Sequence, residues 1–242
     1  MNNINNISFH KAALVSGIAI LIMTIAAVAA NDLTIGSLAV KDNAALTANN
    51  IMNSGMLFRI GIFSWLIVLI CDVLAAWGLY IFLRPVNKDL SLLTAWLRLV
   101  YVAILGTSML NYVKVLLLIN SNDYISAFDI AQFQSHVMLH VTAFDEMWSI
   151  GLIVFGMHAG MLGYLCFKSG YIPKAFGVLL IIAFAGYVIT NLGNLLVPGY
   201  DNYKRVLGFI FLIPMLSEVA LGLWLIIKGG KVAHKNMILE QV

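Results

Sequence analysis

The stretch IGIFSWLIVLICDVLAAWGLYIFL, Ile60 to Leu83, lies between Arg59 and Arg84 and carries a single charge, Asp72. Hydrocarbon offers a backbone amide no water, so an apolar run of about 20 residues reads as a helix that satisfies its own hydrogen bonds while crossing a bilayer. Five other runs share this character, near residues 12–30, 95–119, 147–167, 175–196 and 206–227. Pro173 precedes the fifth, where its missing donor costs nothing.

Composition agrees with these runs. The chain has 242 residues, 62% hydrophobic and 10% charged, with a mean hydropathy of +0.95. Soluble domains are about half apolar and a quarter charged, so a water-soluble globule is excluded. Disorder and disulfide scaffolds are excluded too, because aromatic and branched residues abound and the only cysteines are Cys71 and Cys166. The expected fold class is all-α: a six-helix transmembrane bundle with short inner turns and two longer outer segments, forming one polytopic domain over residues 1–242.

Lysine and arginine set the expected orientation. Lys11, Arg84, Lys88, Lys168, Lys174, Lys228, Lys231 and Lys235 fall on one side, which places both termini in the cytoplasm. On the other side Lys41, Arg59, Lys204 and Arg205 are diluted by five aspartates. This bias accounts for the net charge of +3, leaving no reason to invoke nucleic acid. Ala27-Val28-Ala29 would also suit the end of a cleaved leader, but the apolar stretch exceeds the usual signal core of about 7 to 15 residues, so retention is expected.

The outer segments carry local signals. Asp42-Asn43-Ala44-Ala45-Leu46 suggests a short helix, and Ser126-Ala127-Phe128-Asp129 has the spacing of a capping box from which the fourth helix would project.

Ionisable groups at mid-membrane are costly, about 2.5 to 3.5 kcal/mol each on the lenient scale, so each needs a partner or a purpose. Asp72, His158 and Glu218 fall near the middle of three spans that run the same way, which makes them the candidate midplane polar site. A layer of two acids and an imidazole suits a proton relay or proton-coupled carrier, metal ligation or water activation, or it simply ties the bundle together. Thr107, Asn111 and Lys114 on one span and Tyr187, Asn191 and Asn194 on another are spaced to line a candidate vestibule on the outer side; snorkelling and interhelical bonds are the plainer account. Gly156 and Gly160 have the small-xxx-small spacing of helix packing. Arg98, placed near the inner end of its span, would reach headgroups or pair with Asp89. Pro214, four residues before Glu218, would kink its helix.

His136, His140 and His158 share one helical stripe, but His140 and His158 would lie about 27 Å apart at 1.5 Å per residue. No metal site is expected, and no cofactor: nucleotide loops, nucleophile elbows and paired CxxC motifs are missing from the sequence.

The strings LFRIG (Leu57 to Gly61), CDVLAAWGLYIFLRPVN (Cys71 to Asn87), AWLRLVYVAILG (Ala95 to Gly106) and GLIVFGMHAGMLGYLCFKSGYIPKAFGVLL (Gly151 to Leu180) resemble a bacterial integral-membrane family, domain of unknown function 4386. The least generic parts are LRPVN and the FGMH, GYL and SGYIPK pieces; the match is least distinctive from Arg205 onward. The resemblance implies a compact multi-pass protein of the bacterial cytoplasmic membrane and brings no roles to carry onto Asp72, Arg98 or His158. The leading expectation is binding or transport of a small-molecule or lipid-like ligand at the midplane site. An intramembrane hydrolase acting on a lipid-like substrate and a structural or regulatory membrane partner are the alternatives. The lipid bilayer is the one partner that composition names, and the sequence sets no oligomeric state.

Overall fold

The computed structural model describes residues 9–121, 128–200 and 216–229, and among them every regular element is a helix. In chain order these are α1 (Phe9–Val28), a π-helical turn (Ala29–Thr34), α2 (Ile35–Leu38), α3 (Ala44–Asn53), α4 (Gly55–Leu83), α5 (Lys88–Asn120), α6 (Ile130–Lys168) and α7 (Lys174–Leu196). The last is α8, residues 216–224, which runs into a second π-helical turn, Leu225–Gly229. Among the described residues five helices are long and apolar enough to cross a membrane: Phe9–Leu38, α4, α5, α6 and α7. These are the helices of a multi-pass membrane protein. Of the sixth expected span, residues 206–215 with Pro214 lie outside the described residues; the remainder is helical and packs into the bundle.

Helix starts are written in side chains that accept from free amides. Asn43 caps α3 through Leu46 N at 2.9 Å, where the short outer helix is expected, and Asn87 caps α5 through Leu90 N at 2.9 Å. The capping box of α6 lies three residues later than the expected one. Asp129 is the cap, accepting from Gln132 N at 2.8 Å, while the Gln132 side chain accepts from Asp129 N at 3.4 Å; Ser126 lies outside the described residues. The acid therefore caps the helix itself rather than answering a serine cap.

Consecutive long helices pack side by side, α1 on α4, α4 on α5, α5 on α6 and α6 on α7. The circuit is completed by α8, with Gly222 against Gly17 and Ile20 of α1 and Trp224 beside Phe82 and Phe176. At the end carrying Arg84 and Lys168, the Tyr171 hydroxyl donates to Phe82 O at 2.8 Å and pins the α6–α7 turn under α4.

The α6–α7 contact is built on absent side chains. A Cβ on Gly163 would lie 2.8 Å from Gly177 O, and one on Gly177 would lie 2.7 Å from Gly163 O, so the two backbones touch there. Gly156 and Gly160 continue this seam, with Tyr187, Val188 and Phe184 pressed on the space their side chains would need. The small-xxx-small pattern is thus used inside the chain. Replacing Gly163 with leucine should force α6 and α7 apart and cost about 2–3 kcal/mol, as overpacking does, read as a lowered melting temperature in detergent micelles; an unchanged melt would mean the seam is not tight.

Candidate functional site

Arg98 sits ten residues into α5, about 15 Å from its first turn and so near half the depth of a bilayer core of about 30 Å. Its side chain is completely buried. A guanidinium has five N–H donors, and a group that cannot lose its charge must satisfy them all. Nε donates to Asp72 Oδ1 of α4 at 2.8 Å, and Nη2 makes a 2.7 Å ion-pair contact with the same oxygen. Nη2 also donates to Met23 Sδ of α1 at 3.2 Å. Nη1 lies 3.0 Å from Glu218 Oε1 of α8 and 3.1 Å from His158 Nε2 of α6. Four hydrogen-bond contacts and one further ion-pair contact, from four other helices, surround the guanidinium, and the Phe155 ring lies 5.2 Å from its carbon.

The histidine tautomer follows from these partners. Nε2 faces a group that only donates, so it accepts; Nδ1 then holds the proton and donates to Thr94 O at 2.8 Å. The imidazole is neutral. Two carboxylates therefore share one guanidinium, and each meets it through one oxygen, Oδ1 of Asp72 and Oε1 of Glu218.

Both acids also line a cavity of about 370 Å³. Its walls are aromatic, from Trp65, Tyr101, Trp148, Phe155 and Tyr187. Trp148 Nε1 donates to the Tyr101 hydroxyl at 3.3 Å, and the Trp65 and Trp148 rings meet edge to face at 5.0 Å, so the wall is held together by its own contacts. The remaining side is α1 and its π-helical turn, with Thr24, Ala27, Val28, Asn31 and Asp32. Thr34 stabilises that turn, its hydroxyl 2.9 Å from both Ala29 O and Ala30 O. Asn31 and Asp32 are exposed and mark the mouth. Toward the opposite end Phe82, Leu83, Leu162, Leu165 and Cys166 are all buried.

The structure brings Asp72, His158 and Glu218 together, as their equal depth suggested, with Arg98 as the hub. Arg98 is the correction: it neither reaches headgroups nor pairs with Asp89. The cause is the length of α5, which begins at Lys88 rather than near residue 95 and so moves Arg98 about 10 Å deeper. Met23 was silent in the sequence. The vestibule residues do not share one space. Tyr187 lines the cavity; Thr107 and Lys114 are exposed, and the Thr107 hydroxyl donates to Ala103 O. Asn111 is buried against Met147 Sδ at 3.2 Å, and Asn191 donates to Tyr187 O at 2.8 Å. Asn194 bonds Glu146 Oε2 at 3.2 Å and faces a separate pocket with Pro198 and Tyr200. Asn111 and Asn194 thus make interhelical bonds, as in the plainer account, while Thr107 and Asn191 bond within their own helices. Among the described residues no three His, Cys, Asp or Glu side chains are grouped to hold a metal ion.

The model of a family described as domain of unknown function 4386 matches residues 15–229. An uncharacterised protein from Archaeoglobus fulgidus is 33% identical over 175 residues, covering 72% of this chain and 85% of its own. No solved structure matches the chain.

Removing the hub leaves two buried acids without their counter-charge. Arg98→Met should destabilise the protein by about 3–5 kcal/mol, the cost of breaking a buried pair from one side. Adding Asp72→Asn and Glu218→Gln to that variant should recover a large part of the loss. Melting of the single and triple variants in detergent checks this, and equal stability of the two would contradict it.

Proposed function

Because the chain belongs to the domain of unknown function 4386 family, whose description names no chemistry, we propose from its own geometry that it binds a small, largely apolar molecule in the aromatic cavity beside the Arg98 cluster. The observation that carries this reading is a mostly apolar space ending on two carboxylates held in place from behind. Ligand pockets are commonly about 300–1,000 Å³, apolar, with a few fixed polar groups, and this one fits that description. Fixing those groups costs a binding site nothing at the moment of binding when the scaffold has already ordered them. Arg98 does so here, holding Asp72 and Glu218 through one oxygen each.

The excess of lysine and arginine at the opposite end supports a cytoplasmic location for that end and an outward-facing mouth, in a bacterial cytoplasmic membrane. Transport would require the same site to open toward the basic end, where buried Phe82, Leu83, Leu162 and Leu165 lie across the path. Binding is therefore the reading carried furthest. An intramembrane hydrolase finds less support, because His158 does not line the cavity and its Nε2 already accepts from Arg98. A base so occupied has no lone pair to offer water.

Trp65 and Trp148 in the wall give the test a signal. Purified protein in micelles is titrated with phenylbutylamine, phenylbutanol and phenylbutyrate, which share a body and differ in head group. At least one should change tryptophan emission saturably. Ala27→Phe fills the cavity from α1 and should abolish that saturable change while leaving the melting temperature within a few degrees; a response from none of the three, or one that survives Ala27→Phe, would overturn the reading.

A further inference from the structure

Resting on that cavity, the geometry points to the class of its ligand: an organic cation, an amine or quaternary ammonium on an apolar body, seated with its charge between Asp72 and Glu218. Three observations converge. Among the described residues the lining contains three acids, Asp32 at the mouth and Asp72 and Glu218 deeper in, and no lysine, arginine or histidine. Arg98 cancels one of these charges from behind, but it is fully buried and does not line the cavity, so it offers a ligand there no N–H group. With both carboxylates ionised, the cluster carries one more negative charge than its guanidinium cancels. One further positive charge would balance it.

The walls select among cations. Trp65, Tyr101, Trp148, Phe155 and Tyr187 line the space, and cations are drawn to aromatic ring faces by about 0.5–2 kcal/mol each according to desolvation. A hard metal ion wants six or more oxygen ligands, which this lining does not supply. An ammonium wants few: the oxygens of Asp72 and Glu218 that lie outside the Arg98 bonds accept from it, and the rings surround its carbon substituents. An anion would meet two carboxylates at the end of the cavity, with no counter-charge among the described lining residues. A neutral molecule would fill the apolar space and leave the charge unbalanced.

The same three probes decide the matter in the wild-type protein, with the Ala27→Phe signal subtracted as micelle background. Phenylbutylamine should bind at least about tenfold more tightly than phenylbutanol, since a charge-assisted hydrogen bond contributes about 1.5–3 kcal/mol and tenfold is about 1.4. Phenylbutyrate should show no saturable binding. Asp72→Asn and Glu218→Gln should each weaken the amine about tenfold and the alcohol by much less, so that the amine's advantage over the alcohol shrinks. Asp32→Asn, at an exposed position that bears no packing, should weaken the amine by only a few-fold. Equal affinity for amine and alcohol, or saturable binding of the carboxylate, would overturn the cation assignment while leaving the cavity a binding site. Silence from all three probes would remove both. The wild-type series decides even where a midplane variant fails to fold.

Discussion

A guanidinium that cannot be deprotonated, held at half depth in an apolar bundle, imposes the arrangement around it. Arg98 must find acceptors for five N–H groups without water, and it takes them from α1, α4, α6 and α8. Helix rotation is thereby fixed at one level: a turn of α4 or α8 about its axis would carry a carboxylate away from its charge. Lipid contacts cannot provide this specificity, because hydrocarbon is indifferent to which apolar face meets it. Close-packed glycines do the complementary work, setting the distance between α6 and α7 at Gly163 and Gly177 and between α1 and α8 at Gly17 and Gly222.

The spans were legible because the bilayer imposes a length and a composition that no soluble fold requires. Rotation was not, since the lipid face is as apolar as the core: Phe63, Ile70 and Met157 are exposed, while Phe58, Leu162 and Leu165 are buried. Depth could be read, and it put Asp72, His158 and Glu218 at one level. Arg98 was misplaced because the polar first turn of α5, Lys88 and Asp89, hides the true helix start from a hydropathy reading. Asn87, a cap immediately after the Arg84-Pro85 turn, was the available signal. The vestibule failed for another reason. Thr107, Asn111 and Lys114 do share a spacing, yet a hydroxyl or amide in a membrane helix can be satisfied by its own backbone or by a sulfur, so a polar row does not announce water.

The site is asymmetric along the bundle axis. On one side of the ion cluster lies open space walled by aromatic rings; on the other lie closely packed side chains from Phe82 to Cys166. His158 belongs to the packed side of this division: its Nδ1 is tied to Thr94 O and its Nε2 to the guanidinium, so it positions Arg98 and leaves the cavity to the carboxylates.

The π-helical turn from Ala29 to Thr34 is a local excess of chain, since a π turn accommodates an additional residue in what was an α-helical ladder. Each residue of an α-helix advances the azimuth by about 100°, so absorbing one there swings everything beyond it by roughly that angle relative to an uninterrupted helix. Asn31 and Asp32 lie within this turn, at the rim. Lineages that gain or lose a single residue in this segment would keep the transmembrane portion of α1 in register while re-aiming the rim, which makes the turn a place where recognition can drift without disturbing the ion cluster.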